Sequence, residues 1–349
     1  MKNGKYLVGV IGAGGIGRYH IDGWKKLPDV VVYGIADTNA TTLETVSKQY
    51  EIPVAVKDYK NLIKIEEIDI IDVCTPNSFH YPVTIAALKN GKHVLCEKPL
   101  ATKSEHVKKM IQAAKENKRK LMAAQNQRFS YAGKMTKKII DDGELGEIYF
   151  AQCYAVRRRE LPPSDTFIKK ELSGGGPMFD IGVHILDIVY WFMGCPKVHS
   201  VKGVMFTKLA RNKGITGTWG QWDPEKYEVE DFAAGFVLFK DGRALQLTCS
   251  FLSNLPSNWS ASLYGTKAGM IWPEMKLFSE LSGMHRDSTL TPIVPEKEPS
   301  HHIEIKEFLD CVKTGKDVLV KPEESLEVIG ILESMYISHE KKKEVIFQG

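Results

Sequence analysis

The sequence predicts an α/β chain: an N-terminal doubly wound parallel sheet, then a C-terminal α+β domain on a mostly antiparallel open sheet. Three observations predict it. Short apolar runs alternate with helical patterns up to about residue 125, as parallel sheets covered on both faces require. A glycine-rich turn stands between the first run and the first helical pattern. Past residue 126 the apolar runs lengthen and follow one another through hairpin-like turns such as Asp241-Gly242. A chain of 349 residues is long for one core. The expected domains are 1–125 and 126–349.

The first strand is expected over Tyr6–Ile11 and the first helix over Ile16–Lys26. Between them Gly12, Gly14 and Gly17 fit G-x-G-x-x-G in strand–turn–helix context, with Gly15 and Ile16 opening the helix. Gly12 permits the tight turn, Gly14 lets a pyrophosphate reach the backbone, and Gly17 lets helix and strand pack closely. The helix N-terminus then offers free N–H groups and a positive dipole end to phosphates. The second run, Val30–Ala36, ends in Asp37, where a dinucleotide site needs a carboxylate for the ribose hydroxyls. A carboxylate there repels a 2′-phosphate, and Thr38-Asn39 brings no arginine, so NAD is expected over NADP.

Further strands are expected at Pro53–Val56, Ile70–Cys74, His93–Cys96 and Lys120–Ala124, with helices at Thr41–Tyr50, Tyr81–Lys89 and Ser104–Asn117, the last capped by Ser104. Ligands of such sheets bind outside the carboxyl ends of the strands. The clusters that follow those ends are Thr75-Pro76-Asn77 with His80, then Glu97-Lys98-Pro99, then Asn126 to Arg128. Turn chemistry accounts for Pro76 and Asn77 equally well. Lys98 is read either as facing the cofactor or as paired with Glu97 or another carboxylate.

In the second domain a helix is expected over Tyr131–Asp142, and strands over Glu147–Arg157, His199–Phe206, Phe232–Lys240, Arg243–Phe251, Trp259–Tyr264 and Gly269–Pro273. Two helices, His302–Lys313 and Pro322–His339, close the chain, and Val345–Gly349 is read as a loose end. The chemistry-bearing stretch runs from Ser173 to Asp187. Three glycines enter an apolar helix on which Asp180, His184 and Asp187 share a face. Buried ionisable groups must be paired or functional. His184 is therefore read either as a core histidine held by Asp180 or as a general acid/base beside a carboxylate. A metal is not expected, because H-x-x-D lacks a third ligand.

The bulk composition excludes several classes. The net charge of +4 is small, and the basic clusters lack interleaved aromatics, so no nucleic-acid partner is expected. No run approaches the ~18 apolar residues of a membrane span. Lys2 and Lys5 before an apolar stretch imitate a secretion leader, but the glycine density argues against one. None of the six cysteines forms C-x-x-C, and reduced cysteines in apolar runs fit the cytoplasm.

Together Gly12–Gly17, Thr75-Pro76-Asn77 with His80, Glu97-Lys98-Pro99 and Gly174–Asp187 resemble the glucose–fructose oxidoreductase/inositol dehydrogenase (Gfo/Idh/MocA) family. The likeness covers nearly the whole chain. It implies a Rossmann domain followed by a C-terminal α/β domain, and a homodimer or homotetramer formed through the C-terminal sheet. It also implies NAD(P)-dependent oxidoreduction of CH–OH groups in a sugar, an inositol-like polyol or a glycoside. By the same resemblance, Lys98 and His184 lie over the nicotinamide, Asp180 holds substrate and histidine, and the Lys98-Pro99 bond is cis. The loops carrying Arg157 and Trp219 depart from familiar members. They are read as lining the substrate side with Asn126 and Arg128, or as a self-clamped loop or oligomer contact. Two other functions stay open: redox-neutral glycosidic cleavage with tightly bound NAD, and a non-catalytic dinucleotide or sugar sensor.

Overall fold

The computed structural model describes residues 4–293, 295 and 297–347; Lys2, Gln348 and Gly349 lie outside the described residues. In chain order the elements begin β1 (Tyr6–Ile11), α1 (Gly15–Lys25), β2 (Val30–Ala36), α2 (Ala40–Tyr50), β3 (Val54–Val56) and α3 (Tyr59–Ile63). Then come β4 (Ile70–Val73), α4 (Asn77–Lys89), β5 (His93–Glu97), α5 (Ser104–Glu116) and β6 (Leu121–Ala124). Next are α6 (Tyr131–Asp141), β7 (Ile148–Val156), α7 (Asp165–Ile168), α8 (Lys170–Ser173) and α9 (Val183–Phe192). The second sheet continues through β8 (Val198–Phe206), β9 (Phe232–Phe239), β10 (Ala244–Ser250), β11 (Asn258–Gly265), β12 (Ala268–Trp272), β13 (Lys276–Leu281) and β14 (Met284–Thr289). The chain closes with α10 (Ser300–Thr314), α11 (Pro322–Lys341) and β15 (Val345–Ile346).

Two compact units result. One comprises Met1–Phe129 with Glu298–Leu326, the other Ser130–Lys297 with Glu327–Gly349. This differs from a single cut after residue 125. The reason is α10, which packs on α1: a Cβ at Gly23 would lie 2.8 Å from Ile305 and 2.9 Å from His302. Only a residue without a side chain lets the two helices meet so closely.

In the first unit six parallel strands run in the order β3-β2-β1-β4-β5-β6. β4 is buried at every position, the mark of a strand covered on both faces. α1 buries Gly17, His20, Ile21, Gly23 and Trp24, a stripe at helical spacing. The strand order reverses at β1, so the carboxyl ends of β1 and β4 flank the crevice where such folds bind ligands. Lys103, not Ser104, takes the N-cap position of α5; Ser104 is the first helical residue.

The second unit holds a nine-stranded sheet, β14-β13-β12-β11-β7-β10-β9-β8-β15. β7 and β10 pair parallel and the other neighbours antiparallel. β13, β14 and β15 extend it beyond the expected strands, and Val345–Ile346 is paired on β8 rather than loose. Alternate β7 residues, Ala151, Cys153 and Ala155, face the core. On the sheet, Phe150 contacts Phe236 and Tyr264, whose rings are partly exposed.

The glycine turn has little room. Gly12 has φ +93°, and a Cβ there would lie 2.4 Å from the Cys74 carbonyl oxygen. A Cβ at Gly17 would lie 1.9 Å from the Gly12 carbonyl oxygen, whereas one at Gly14 meets nothing within 4 Å. Gly17→Ala should therefore lower stability by about 1–3 kcal/mol, the usual cost of overpacking, in urea unfolding. Gly14→Val should leave stability within ~0.5 kcal/mol yet weaken NAD binding at least ~10-fold, because its methyls fill the space open to a pyrophosphate. Undiminished NAD affinity in Gly14→Val would reduce the turn to a structural role.

Candidate active site

In the first unit the candidate site lies along the carboxyl edge of the parallel sheet. Gly12 donates its N–H to the Ala36 carbonyl at 2.8 Å, which ties the turn to the end of β2. Asp37 stands there. Its carboxylate accepts from Ala13 N–H at 2.8 Å and from Asn39 N–H at 2.8 Å, so it is aimed by the glycine turn itself. Gly14, Gly15 and Ile16 open α1; Gly14 and Gly15 face open space and Ile16 is exposed. An unobstructed helix N-terminus beside a fixed carboxylate fits the pyrophosphate and ribose of NAD.

Thr75-Pro76-Asn77 follows β4, with Pro76 capping α4. His80, expected against the cofactor, is instead fully buried behind this turn. Its Nδ1 lies 2.7 Å from the Pro99 carbonyl and its Nε2 2.8 Å from the Thr75 carbonyl. The ring sits between the β4 and β5 loops, and its one N–H when neutral donates to one of the two carbonyls. Burial lowers its pKa against the pull of both carbonyls.

Glu97-Lys98-Pro99 ends β5, and the Lys98-Pro99 bond is cis. Glu97 is buried, and its carboxylate faces inward rather than onto a ligand surface. Oε2 accepts the Lys98 N–H at 3.0 Å, and Oε1 lies 3.0 Å from His20 Nε2. Burial alone would raise the Glu97 pKa. The close approach of His20, then Lys98 and His301, outweigh it and hold it at about 2. His20 Nδ1 in turn lies 2.9 Å from Asp72 Oδ2, which also accepts from Trp24 Nε1 at 2.6 Å. His20, Asp72 and Cys74 each bring a possible ligand atom within 4.8 Å of the others. Within it the Cys74 thiol, with its pKa pushed up to about 12 by burial and Asp72, donates to Asp72 at 3.5 Å.

Asn126 and Arg128, expected on the substrate, are both buried. Asn126 donates to Ser300 Oγ at 3.0 Å. Arg128 is fully enclosed and pairs with Glu324 at the start of α11. A guanidinium removed from water needs such a partner, so Arg128 braces the first unit rather than lining a binding surface.

The second unit carries the remaining candidate residues. Gly174, at φ +80°, ends α8, and Gly175 and Gly176 pass where no side chain fits: a Cβ would lie 2.0 Å from the Tyr336 hydroxyl and 2.1 Å from the Glu230 carbonyl oxygen. The buried Glu230 carboxylate accepts Gly176 N–H at 3.0 Å, Met178 N–H at 3.3 Å and Tyr336 O–H at 2.8 Å. It anchors a wide π-type turn, Met178–Gly182, that runs into α9. Asp180 and His184 straddle the change from wide turn to α-helix and stay half-buried, whereas Asp187 is fully buried. The three therefore do not share one environment; the wider turn shifts the register between Asp180 and His184, while Asp187 lies one turn further along the buried α9. Asp180 pairs with Arg157 at 3.3 Å, and Trp219 covers that guanidinium, 4.5 Å from its ring centre. Trp222 is buried and donates to the Ala210 carbonyl at 2.7 Å, clamping the loop, while Trp219 remains half-exposed above Arg157.

Sequence reasoning passed over His20, Asp72 and Glu230. The signal for Asp72 was present: an ionisable residue inside a fully apolar parallel-strand run must be paired. His20 follows Gly17 by one helical step on the buried stripe of α1, which is the second half of the same signal.

The family model described as the oxidoreductase family with an NAD-binding Rossmann fold matches residues 6–125, and the model of the GFO/IDH/MocA C-terminal domain matches residues 134–271. The chain is 30% identical over 332 residues to the D-glucoside 3-dehydrogenase of Escherichia coli (strain K12), covering 94% of this chain and 93% of that one. It is 29% identical over 285 residues to the levoglucosan dehydrogenase of Pseudarthrobacter phenanthrenivorans, covering 76% and 73%. Among solved structures, a levoglucosan dehydrogenase in complex with NADH shares the fold at a TM-score of 0.86 and 22% identity, covering 99% of both chains. With both domain models matched and a relative aligned over nearly its full length, the chain belongs to the Gfo/Idh/MocA family of oxidoreductases and carries that family's NAD-binding Rossmann fold.

Proposed function

We propose that this enzyme oxidises a ring secondary hydroxyl of a glucoside or a closely related sugar, with NAD preferred over NADP. One observation carries the reading. Lys98 follows β5 at the same carboxyl edge where the open glycine turn and Asp37 follow β1 and β2. A cation is thus fixed on the edge that would hold the dinucleotide. The near full-length likeness to a D-glucoside 3-dehydrogenase supports the substrate class.

NAD, when bound, accepts the hydride. The chain's own residues do the rest. Gly14 and Gly15 admit the pyrophosphate to the backbone, and Asp37 takes the ribose hydroxyls. Lys98 stabilises the alkoxide as the hydroxyl loses its proton, and His184 takes that proton as general base. Asp180, held by Arg157, presents its carboxylate to the sugar beside His184, and the exposed face of Trp219 offers a flat apolar surface to the sugar ring. Acid–base help of this kind contributes ~100- to 10,000-fold.

The aromatic stretch of the second sheet around Phe150, Phe236 and Tyr264 is proposed as a self-association surface. Light scattering should give a multiple of the 39.2 kDa chain mass, and a monomer would remove the assignment. The six free cysteines agree with a reducing compartment such as the cytoplasm.

NADH formation, followed by absorbance, should appear with methyl glucosides or levoglucosan before inositols, and faster with NAD than with NADP. Asp37→Ala should narrow or reverse that cofactor gap. Equal or tighter NADP binding by the unaltered enzyme would refute the role of Asp37, and cleavage of the glycoside without net NADH would favour the redox-neutral reaction.

Lys98→Met and His184→Ala should each cut kcat by ~100-fold or more while NAD binding stays nearly unchanged. The double variant should lose less than the product of the single losses, as groups acting on one proton do. Near-full turnover in either single variant contradicts this mechanism.

A further inference from the structure

We propose that His20 is a positioning residue for the reaction: its imidazole bridges the buried carboxylates of Asp72 and Glu97, and through Glu97 it fixes the backbone of Lys98. The inference rests on the reading that Lys98 serves the chemistry. The geometry is a chain of short contacts through the interior of the first unit. Asp72 Oδ2 lies 2.9 Å from His20 Nδ1, and Glu97 Oε1 lies 3.0 Å from His20 Nε2. The imidazole and the Asp72 carboxylate are fully buried, and the Glu97 side chain is 8% exposed. The other Glu97 oxygen accepts the Lys98 N–H at 3.0 Å.

The chemistry of the ring decides what this chain can hold. On the Asp72 side the contact is a hydrogen bond; on the Glu97 side it is a close ion-pair approach without hydrogen-bond alignment, which a charged imidazolium favours and a neutral ring does not. Burial opposes that charge, but Asp72 and the thiol of Cys74 raise the His20 pKa well above its ordinary value. The other groups facing the cluster are consistent with it. Trp24 of α1 donates to Asp72, and Lys98 lowers the Glu97 pKa. His301 of α10 has its ring centre 6.1 Å from that of His20. Burial, His20, His302 and Lys98 together, with Glu97 opposing, hold His301 at a pKa of about 4, so it adds no second positive charge at neutral pH. Two buried carboxylates would repel one another without the imidazolium between them.

The placement gives the network a purpose. α1 carries the open glycine turn at its N-terminus and His20 on its buried stripe. The helix that takes the pyrophosphate is thereby wired to the residue before Lys98. His20 has no exposed surface, so its effect passes through Lys98.

The test makes His20→Ala and His20→Gln, each alone and combined with Lys98→Met. Gln keeps one N–H donor and much of the bulk, which guards against simple unfolding. NADH formation from methyl β-D-glucopyranoside gives kcat and KM. Hydrogen exchange of the Glu97–Leu100 segment gives a readout that needs no substrate. In His20→Ala, kcat should fall ~10-fold or more with KM within ~3-fold, and His20→Gln should recover part of the loss. In the Lys98→Met background the same change should cost less than ~2-fold, because the residue it positions is gone. Exchange of the 97–100 segment should rise in both His20 variants. A full multiplicative loss on top of Lys98→Met would make His20 merely structural and overturn the proposal, as would unchanged exchange with unchanged kcat. Full turnover in Lys98→Met would refute the reading of Lys98 itself; a slow Lys98→Met enzyme beside an unimpaired His20→Ala enzyme refutes the role of His20 alone.

Discussion

The first unit depends on one close approach, the backbone of Gly17 against the carbonyl of Gly12. No side chain fits between them, so α1 starts directly over the end of β1. That contact aims the N-terminus of α1 along the carboxyl edge of the sheet, where its unpaired N–H groups favour an anion. It also sets the rotation of α1. With Gly17 against the turn, His20 and Trp24 point inward at β4 and β5, while Ile16, Tyr19, Asp22 and Lys25 stay exposed. The phosphate cradle and the buried polar network are two faces of the same packing.

The second unit solves a related problem in another way. The helix that carries His184 begins not on a strand but on a run of glycines, and partners for that helix start come from the Glu230 carboxylate. Burial pushes the Glu230 pKa up, while the Tyr336 hydroxyl and the backbone N–H groups it accepts pull it back. An enclosed carboxylate is tolerated only when its lone pairs are filled. Here they are filled by the backbone that delivers Asp180 and His184, so the rigidity of the turn and the satisfaction of the acid are one arrangement.

Local patterns were legible in the sequence, and long-range ones were not. The positions of Gly12, Gly14, Gly17 and Asp37 could be read because each is set by spacing along a strand–turn–helix. Lys98 could be read as a charged residue at a strand end. Arg128 could not: it lies far along the chain from Glu324, and nothing local distinguishes a buried brace from a binding residue. α10 follows the second sheet in sequence yet packs on α1, a choice made by Gly23 and by side chains nearly three hundred residues away. The wide turn at Met178–Gly182 was hidden for a different reason, since helical spacing presumes a regular helix. The edge strand β14 and its neighbour β13 carry mostly exposed residues, so no apolar alternation announced them.

The central claim is that a ring carbon of the sugar gives its hydrogen directly to NAD. Methyl β-D-glucopyranoside deuterated at its ring carbons, turned over with unlabelled NAD in ordinary water, tests it most directly. Mass spectrometry of the NADH formed should find one deuterium per molecule, with none exchanged into solvent. Unlabelled NADH, or deuterium released to water without net NADH, would contradict the account.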